Sequence, residues 1–221
     1  MTYFNFLAVN SSAILTGIVV TLQIYSLSII TGTLAAFVIA FLLMAPFGPV
    51  RWITTAYVEL IRGTPLLIQL FWLFYVLPLF GIYLDKNVTG VVCLAANLSA
   101  FGSGVVKGAI ESIPRGQWEA SVALNLSPIR RMRDIILPQA VLLLFPIWGN
   151  LLVEYLKHSS LVSLVAITDV MYQMKMINNN TFDAVQSFGT ALLIYYLISR
   201  LIITPLFRML ERYWGRRIGV G

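Results

Sequence analysis

Between residues 14 and 45 the chain carries no Asp, Glu, Lys, Arg or His. A helix needs roughly 20 mostly apolar residues to cross the hydrocarbon core of a bilayer, and this run exceeds that length. Inside lipid each backbone N–H and C=O must be satisfied within the protein, so the run is read as a helix. The pattern recurs. Span two is expected over residues 52–84, interrupted by "ELIRGTPLL", where Gly63 and Pro65 break helical hydrogen bonding. A short helix, a kink and a crossing helix are predicted there. Span three (88–106) is rich in small residues, among them Ala95, Ala96, Ser99, Gly102 and Gly104, which let helix backbones approach closely in lipid. Spans four (139–155) and five (184–206) follow. The polar stretch between them, 157–183, contains "LVSLVAI", too short to cross and expected to be re-entrant or interfacial. The expectation is an all-α integral membrane protein of five transmembrane helices, a single domain over residues 1–221.

Composition agrees: 59% of the 221 residues are hydrophobic and 11% charged, where soluble domains sit near one quarter charged. The net charge of +6 would suggest nucleic acid in a soluble chain. Here the charges sit in short loops between apolar runs, so they are read as setting orientation, and no nucleic-acid partner is expected. Arg51, Lys107, Arg115, Arg130, Arg131, Arg133, Arg208, Arg212, Arg216 and Arg217 fall on one side, against Lys86 and Lys175 on the other. That places the N-terminus outside and the C-terminus in the cytoplasm. Residues 1–12 have no basic n-region, so no removable signal peptide is expected.

One segment breaks the apolar rule. "GQWEASVALNLSPIRRMRDIILPQA", residues 116–140, carries Glu119, Arg130, Arg131, Arg133 and Asp134. It reads as a helical hairpin outside the membrane. The first helix, 118–126, places Glu119 in its first turn, where the helix dipole favours an acid. Ser127 then serves as N-cap and Pro128 as first residue of a second helix to residue 136. Charge alone supports only a solvated loop that enforces topology. The spacing goes further. Glu119-Ala120-Ser121, then Asn125, then Ile135 and Leu137-Pro138 closely resemble the motif of bacterial ABC importer permeases: Glu-Ala-Ala, three residues, Gly, nine residues, Ile, one residue, Leu-Pro. Ser121 stands where the pattern has Ala, and Asn125 where it has Gly. Asn is the natural substitute for Gly where a helix ends in a left-handed turn.

"YVELIRGTPLLIQLFWLFYVLP", "IESIPRGQWEA" and "LLVEYLKHSSLVSLV" extend the resemblance to permeases of the polar amino-acid group, the histidine, glutamine, arginine and opine importers, over nearly the whole chain. "ALNLSPIRRMRDIILPQA" and "LLVEYLKHSSLVSL" resemble the branch for ectoine-type compatible solutes. The resemblance implies the type I importer permease fold with a cytoplasmic coupling loop at about 109–138. It implies a second permease subunit, two ATPase subunits beneath the pair, and a periplasmic binding protein that delivers the solute. The location implied is the bacterial inner membrane. Gly116, Glu119, Ala120, Ser121, Asn125, Ile135, Leu137 and Pro138 would form the coupling loop. Glu119 would fix the hairpin or meet a basic partner, and Ala120 and Ser121 would be small for close approach. ATP and Mg would bind the ATPase partner, and no cofactor is expected on this chain. The group carries a glutamate in span three within a Tyr-x-Ala-Glu pattern; here the stretch is "FGSG", so Gly104 replaces that acid. A different partner subunit could supply it, which favours a heterodimer over a homodimer.

Charges within the apolar runs are candidates for the solute path or a gate, because placing an ionised group in hydrocarbon is costly. Glu59 and Arg62, followed by Thr64, precede the break in span two, and their i,i+3 spacing permits a structural ion pair. Glu154 and Lys157 repeat the spacing, followed by His158, Ser159 and Ser160. Together they offer a zwitterion one site of each sign. Asp169 and Asp183 could meet the binding protein or cap helices. Cys93 is read as packing, and His158 as a polar interfacial residue, since no second His exists to share a metal. There is no GxxxxGK[ST] and no catalytic constellation, so the chain is not expected to be an enzyme. The competing reading is a channel or secondary transporter working without an ATPase. It lacks inverted repeats and leaves the charged segment unexplained.

Overall fold

The computed structural model describes residues 3–218, with side chains as far as residue 213; the last three residues of the basic tail lie outside the described residues. A short helix α1 (Tyr3–Val9) leads into α2 (Ser11–Leu43), the first crossing helix. Helix α3 (Gly48–Gly63) follows, then α4 (Leu66–Phe71), which runs on through a wide turn to Phe80. Helix α5 spans Lys86–Glu111, and α6 spans Arg115–Ala123. A first turn α7 (Pro128–Arg130) continues into α8 (Leu137–Ser159). Helices α9 (Val170–Thr181), α10 (Ala184–Leu197) and α11 (Thr204–Ile218) complete the chain. Among the described residues four helical stretches are long and apolar enough to cross a membrane, and the bent pair Gly48–Gly63 and Leu66–Phe80 makes up to five.

Helix α2 packs along α5, α5 against α8, α8 against α11, and α9 against both α2 and α10. The buried face of α2 is a stripe recurring every three or four positions, and apart from Ile14 and Ile24 its members are small: Gly17, Thr21, Ser28, Gly32, Ala36 and Ala40. This is how helices associate in lipid, where apolarity alone gives no preference for protein over acyl chain. At Gly17 a β-carbon would stand 2.9 Å from the Cα of Val170, so the start of α9 rests directly on α2 backbone. The Thr21 hydroxyl accepts the Val170 N–H at the same junction (3.0 Å).

The break in span two is sharper than a kink, for α3 and α4 meet at 104°. Thr64 is extended (ψ 140°), as a residue before proline must be. The backbone carbonyls freed by the break find a donor in Gln69, whose amide reaches Ile61 O (2.7 Å), Thr64 O (3.0 Å) and Thr64 Oγ1 (2.8 Å).

Three elements differ from the sequence reading. The two-armed hairpin is not a separate unit, because Pro128–Val165 is a single helical stretch. Pro138 is the second residue of α8, but no break precedes it. Its ring and missing N–H are absorbed by a π turn, Arg131–Ile136. The same device precedes Pro78 (Trp72–Val76) and Pro205 (Ile198–Ile203). The first arm begins at Arg115, directly after Pro114, so Glu119 lies beyond its first turn and the dipole argument does not hold. The "LVSLVAI" patch is a 3-10 turn (Ser160–Val165) in place of the expected helix, with Val162 and Val165 buried in the core and Leu164 38% exposed.

Candidate coupling surface and polar network

Helix α6 stands on short connections between the end of α5 and the helical stretch that leads into α8. Its C-terminus is closed by a pair of hydrogen bonds, Leu126 N–H to Ser121 O (3.2 Å) and Asn125 N–H to Val122 O (2.8 Å), with Asn125 at φ 55°. This is the Schellman arrangement, and it requires the left-handed residue that Asn125 supplies. Ser127 then caps the next helix, its Oγ facing the Arg130 N–H at 3.5 Å, with Pro128 at the first position. Ser121 is fully buried where α6 packs on the Arg131–Ile136 turn, and its hydroxyl donates to Trp118 O (2.6 Å). Ala120 points outward. The small pair therefore divides, one residue facing each way. Gln139 ties α8 back to α6 by donating to Gln117 Oε1 (3.3 Å) and binds Ile135 O within its own helix (2.9 Å). Ile135, Leu137 and Pro138 are half-buried, and Gly116 is exposed.

The outer face of this loop is apolar as well as charged. Val122 is 55%, Leu124 69% and Ile129 78% exposed. Glu119 is exposed and makes no ion pair among the described residues, so it does not fix the hairpin.

A polar network, absent from the sequence reading, runs through the spans. The Tyr155 hydroxyl donates to Asn97 Oδ1 (2.5 Å), and Asn97 Nδ2 donates to Gln69 Oε1 (3.2 Å). Gln69 in turn holds Thr64 and the broken ends of α3 and α4. The network thus links α8, α5 and the break. Asn97 and Tyr155 are both 3% exposed. Gln69 and Asn97, uncharged polar residues inside apolar runs, were the visible signal for it.

Neither i,i+3 ion pair forms among the described residues. Arg62 turns instead over the Phe101 ring of α5, 5.3 Å from its centroid. A β-carbon at Gly104 would stand 3.5 Å from Arg62 Nη1, so an acid at that position would meet Arg62 directly. Glu59, Glu154 and Lys157 are exposed on the isolated chain. Ser159 is buried and Ser160 half-buried, and both hydroxyls donate within their own helical turns. Among the described residues no group of His, Cys, Asp and Glu could hold a metal.

Asp169 and Asp183 cap helices: their carboxylates accept from Tyr172 N–H (2.9 Å) and Gln186 N–H (3.1 Å). Asp169 also accepts from the Tyr195 hydroxyl (3.0 Å). Burial pushes its carboxyl up from 3.8 to about 6, against the lowering effect of those hydrogen bonds. A raised carboxyl pKa means the fold favours the protonated form, so stability falls as pH rises through 6 and is recovered as it drops toward 4. A shift of that size corresponds to at most about 3 kcal/mol. The thermal midpoint of the detergent-solubilised protein is expected to rise between pH 7.5 and pH 5. Asp169→Asn, which keeps an acceptor oxygen, should flatten that rise; an identical profile in the variant would remove Asp169 as its source.

Comparison with known proteins gives the family and the fold. Residues 24–216 match the family described as "Binding-protein-dependent transport system inner membrane component". An L-cystine transport system permease of Bacillus subtilis is 32% identical over 89% of this chain and 86% of its own length. An arginine transport system permease of the same organism is 34% identical over 90% and 91%. A probable amino-acid ABC transporter permease of Sinorhizobium fredii is 36% identical over 90% and 87%. The crystal structure of an amino acid ABC transporter with histidines superposes with a TM-score of 0.89 at 29% identity, covering 96% of this chain and 99% of that one. The inward-facing MetNI methionine ABC transporter superposes at 0.77 with 19% identity, a likeness of fold.

Proposed function

The chain belongs to the family of inner membrane components of binding-protein-dependent transport systems, and we propose that it couples ATP hydrolysis on a partner subunit to import of a polar amino acid or amino-acid-like solute. As a permease of an ABC importer it is a multi-pass membrane protein. The observation that carries the coupling reading is the α6 surface. The capped helix α6 exposes Val122, with Leu124 at its C-cap and Ile129 at the first turn of the next helix also exposed, beside a Glu119 that makes no ion pair among the described residues. Exposed apolar side chains rimmed by charge mark a protein interface. The occupant proposed is an ATPase subunit carrying ATP and Mg, two of them under a pair of permeases, with a periplasmic binding protein on the opposite side. Positive charge on the α6 side supports a cytoplasmic C-terminus and an outside N-terminus.

Solute class rests on relatives named for cystine, arginine and glutamine transport. The two stretches that resemble ectoine-type permeases favour a compatible solute within that class. Glu154 and Lys157 supply opposite charges beside the Tyr155–Asn97 link, and Arg62 and Glu59 flank the break. These are the proposed pathway residues. Arg62 faces Gly104 and makes no ion pair among the described residues, which supports a second permease of different sequence. Glu154→Gln or Lys157→Met should reduce uptake by at least about tenfold, the rate equivalent of about 1.4 kcal/mol, with the complex still assembled. Normal uptake in both variants would make the pair structural. The reading as a whole is tested by affinity purification of the tagged chain: an ATPase polypeptide should accompany it, and its absence would favour a channel or secondary transporter.

A further inference from the structure

The sequence reading passed over Arg200. It lies within the membrane-length stretch Ala184–Tyr213, in the π turn before α11. Arg200, Thr204, Arg208 and Arg212 recur every fourth residue and line one hollow of about 840 Å³, together with Met209 and Tyr213. Residues four apart share a helix face, so three guanidiniums form a ladder along roughly 18 Å of helix. Among the described residues no carboxylate lines the hollow. Among the described residues none of the three makes an ion pair. All three are exposed.

The geometry points to a site for the phosphate headgroup of an anionic phospholipid on this face. A planar guanidinium binds phosphate oxygens in pairs, and its charge persists in a low-dielectric setting. The ladder begins inside the crossing stretch, where an acidic surface of a soluble protein cannot reach. It ends among Met209 and Tyr213 at the level of the basic tail. Leu201, Ile202 and Leu206 flank it and are 67%, 52% and 50% exposed, a surface for acyl chains. A lipid presents phosphate and hydrocarbon together in this order. Basic segments at the end of a crossing helix attract anionic lipid through the same field. The lipid bound here would bridge the end of α10 to α11 and hold the tail against the bilayer surface.

Native mass spectrometry of the purified protein with added phosphatidylglycerol, phosphatidylcholine or inorganic phosphate tests this. Phosphatidylglycerol adducts should survive activation where phosphatidylcholine adducts are lost. The triple variant R200Q/R208Q/R212Q should retain at least fivefold less phosphatidylglycerol, while R130Q/R131Q/R133Q, which removes as much charge elsewhere, retains the wild-type amount. Equal loss in both variants would reduce the effect to net charge and overturn the site. Retention of inorganic phosphate equal to that of lipid would overturn the lipid assignment. Loss of an accompanying ATPase from the triple variant, with lipid retention unchanged, would hand the face to that protein. Should the triple variant not fold, R208Q alone is expected to lower phosphatidylglycerol retention at least twofold, and no change in it would count against the proposal.

Discussion

Glu119→Lys is expected to abolish solute-stimulated ATP hydrolysis in the assembled transporter, by more than about tenfold, while leaving insertion and thermal stability of the chain unchanged. The separation of the two effects follows from the geometry. Glu119 is exposed and makes no ion pair among the described residues, and surface substitutions of that kind change stability by about 0.5 kcal/mol or less. Its charge can therefore matter only through a contact outside the chain. A reversed charge pressed into an interface costs several kcal/mol through like-charge juxtaposition. Steady-state ATP hydrolysis with and without loaded binding protein is the measurement. Stimulation that persists in the variant would detach Glu119 from the coupling surface.

Asn97→Leu should be the most damaging single change inside the membrane. Leucine approximates the size of asparagine but withdraws both the acceptor for Tyr155 and the donor to Gln69. Each buried group left without a partner costs about 1–3 kcal/mol, so a loss of roughly 2–4 kcal/mol is expected, softened where lipid-facing rearrangement supplies new partners. The consequence extends beyond stability. Gln69 holds the carbonyls of the 104° break through its amide and Asn97 through its oxygen. Freed on one side, it should let α3 move relative to α4. The thermal midpoint should fall and uptake should drop with it. Asn97→Asp, which keeps an acceptor for Tyr155, should recover part of the stability. A Leu variant with wild-type midpoint would show that the network is not what joins α5 to α8.

The crossing helices were legible because apolar runs between charged loops admit almost no alternative in lipid. The break at Thr64-Pro65, the cap at Ser127-Pro128 and the left-handed Asn125 were legible for a local reason: each depends on the backbone preferences of one or two residues. What escaped was relational. The Gly17-to-Ala40 stripe in α2 is invisible to hydropathy, since glycine and alanine sit among leucines without changing the apolar character of the run. Only the partner helix shows which side is tight. The widened turns before Pro78, Pro138 and Pro205, which carry each helical stretch through its proline without a break, leave no mark in the sequence pattern. The i,i+3 pairs Glu59–Arg62 and Glu154–Lys157 were plausible from spacing. Arg62 has a better neighbour in Phe101, contributed by a different helix. Of the proposed coupling loop, the motif spacing gave the positions, while the exposure of Val122, Leu124 and Ile129 that supports a docking role required the fold.

The most direct test places a photo-activatable cross-linking amino acid at position 122 and irradiates intact membranes. Docking on an ATPase predicts a covalent adduct to a polypeptide that carries a nucleotide-binding motif, weakened when Glu119→Lys is introduced. Adducts to lipid alone, or none, would contradict the assignment of α6 as the coupling helix.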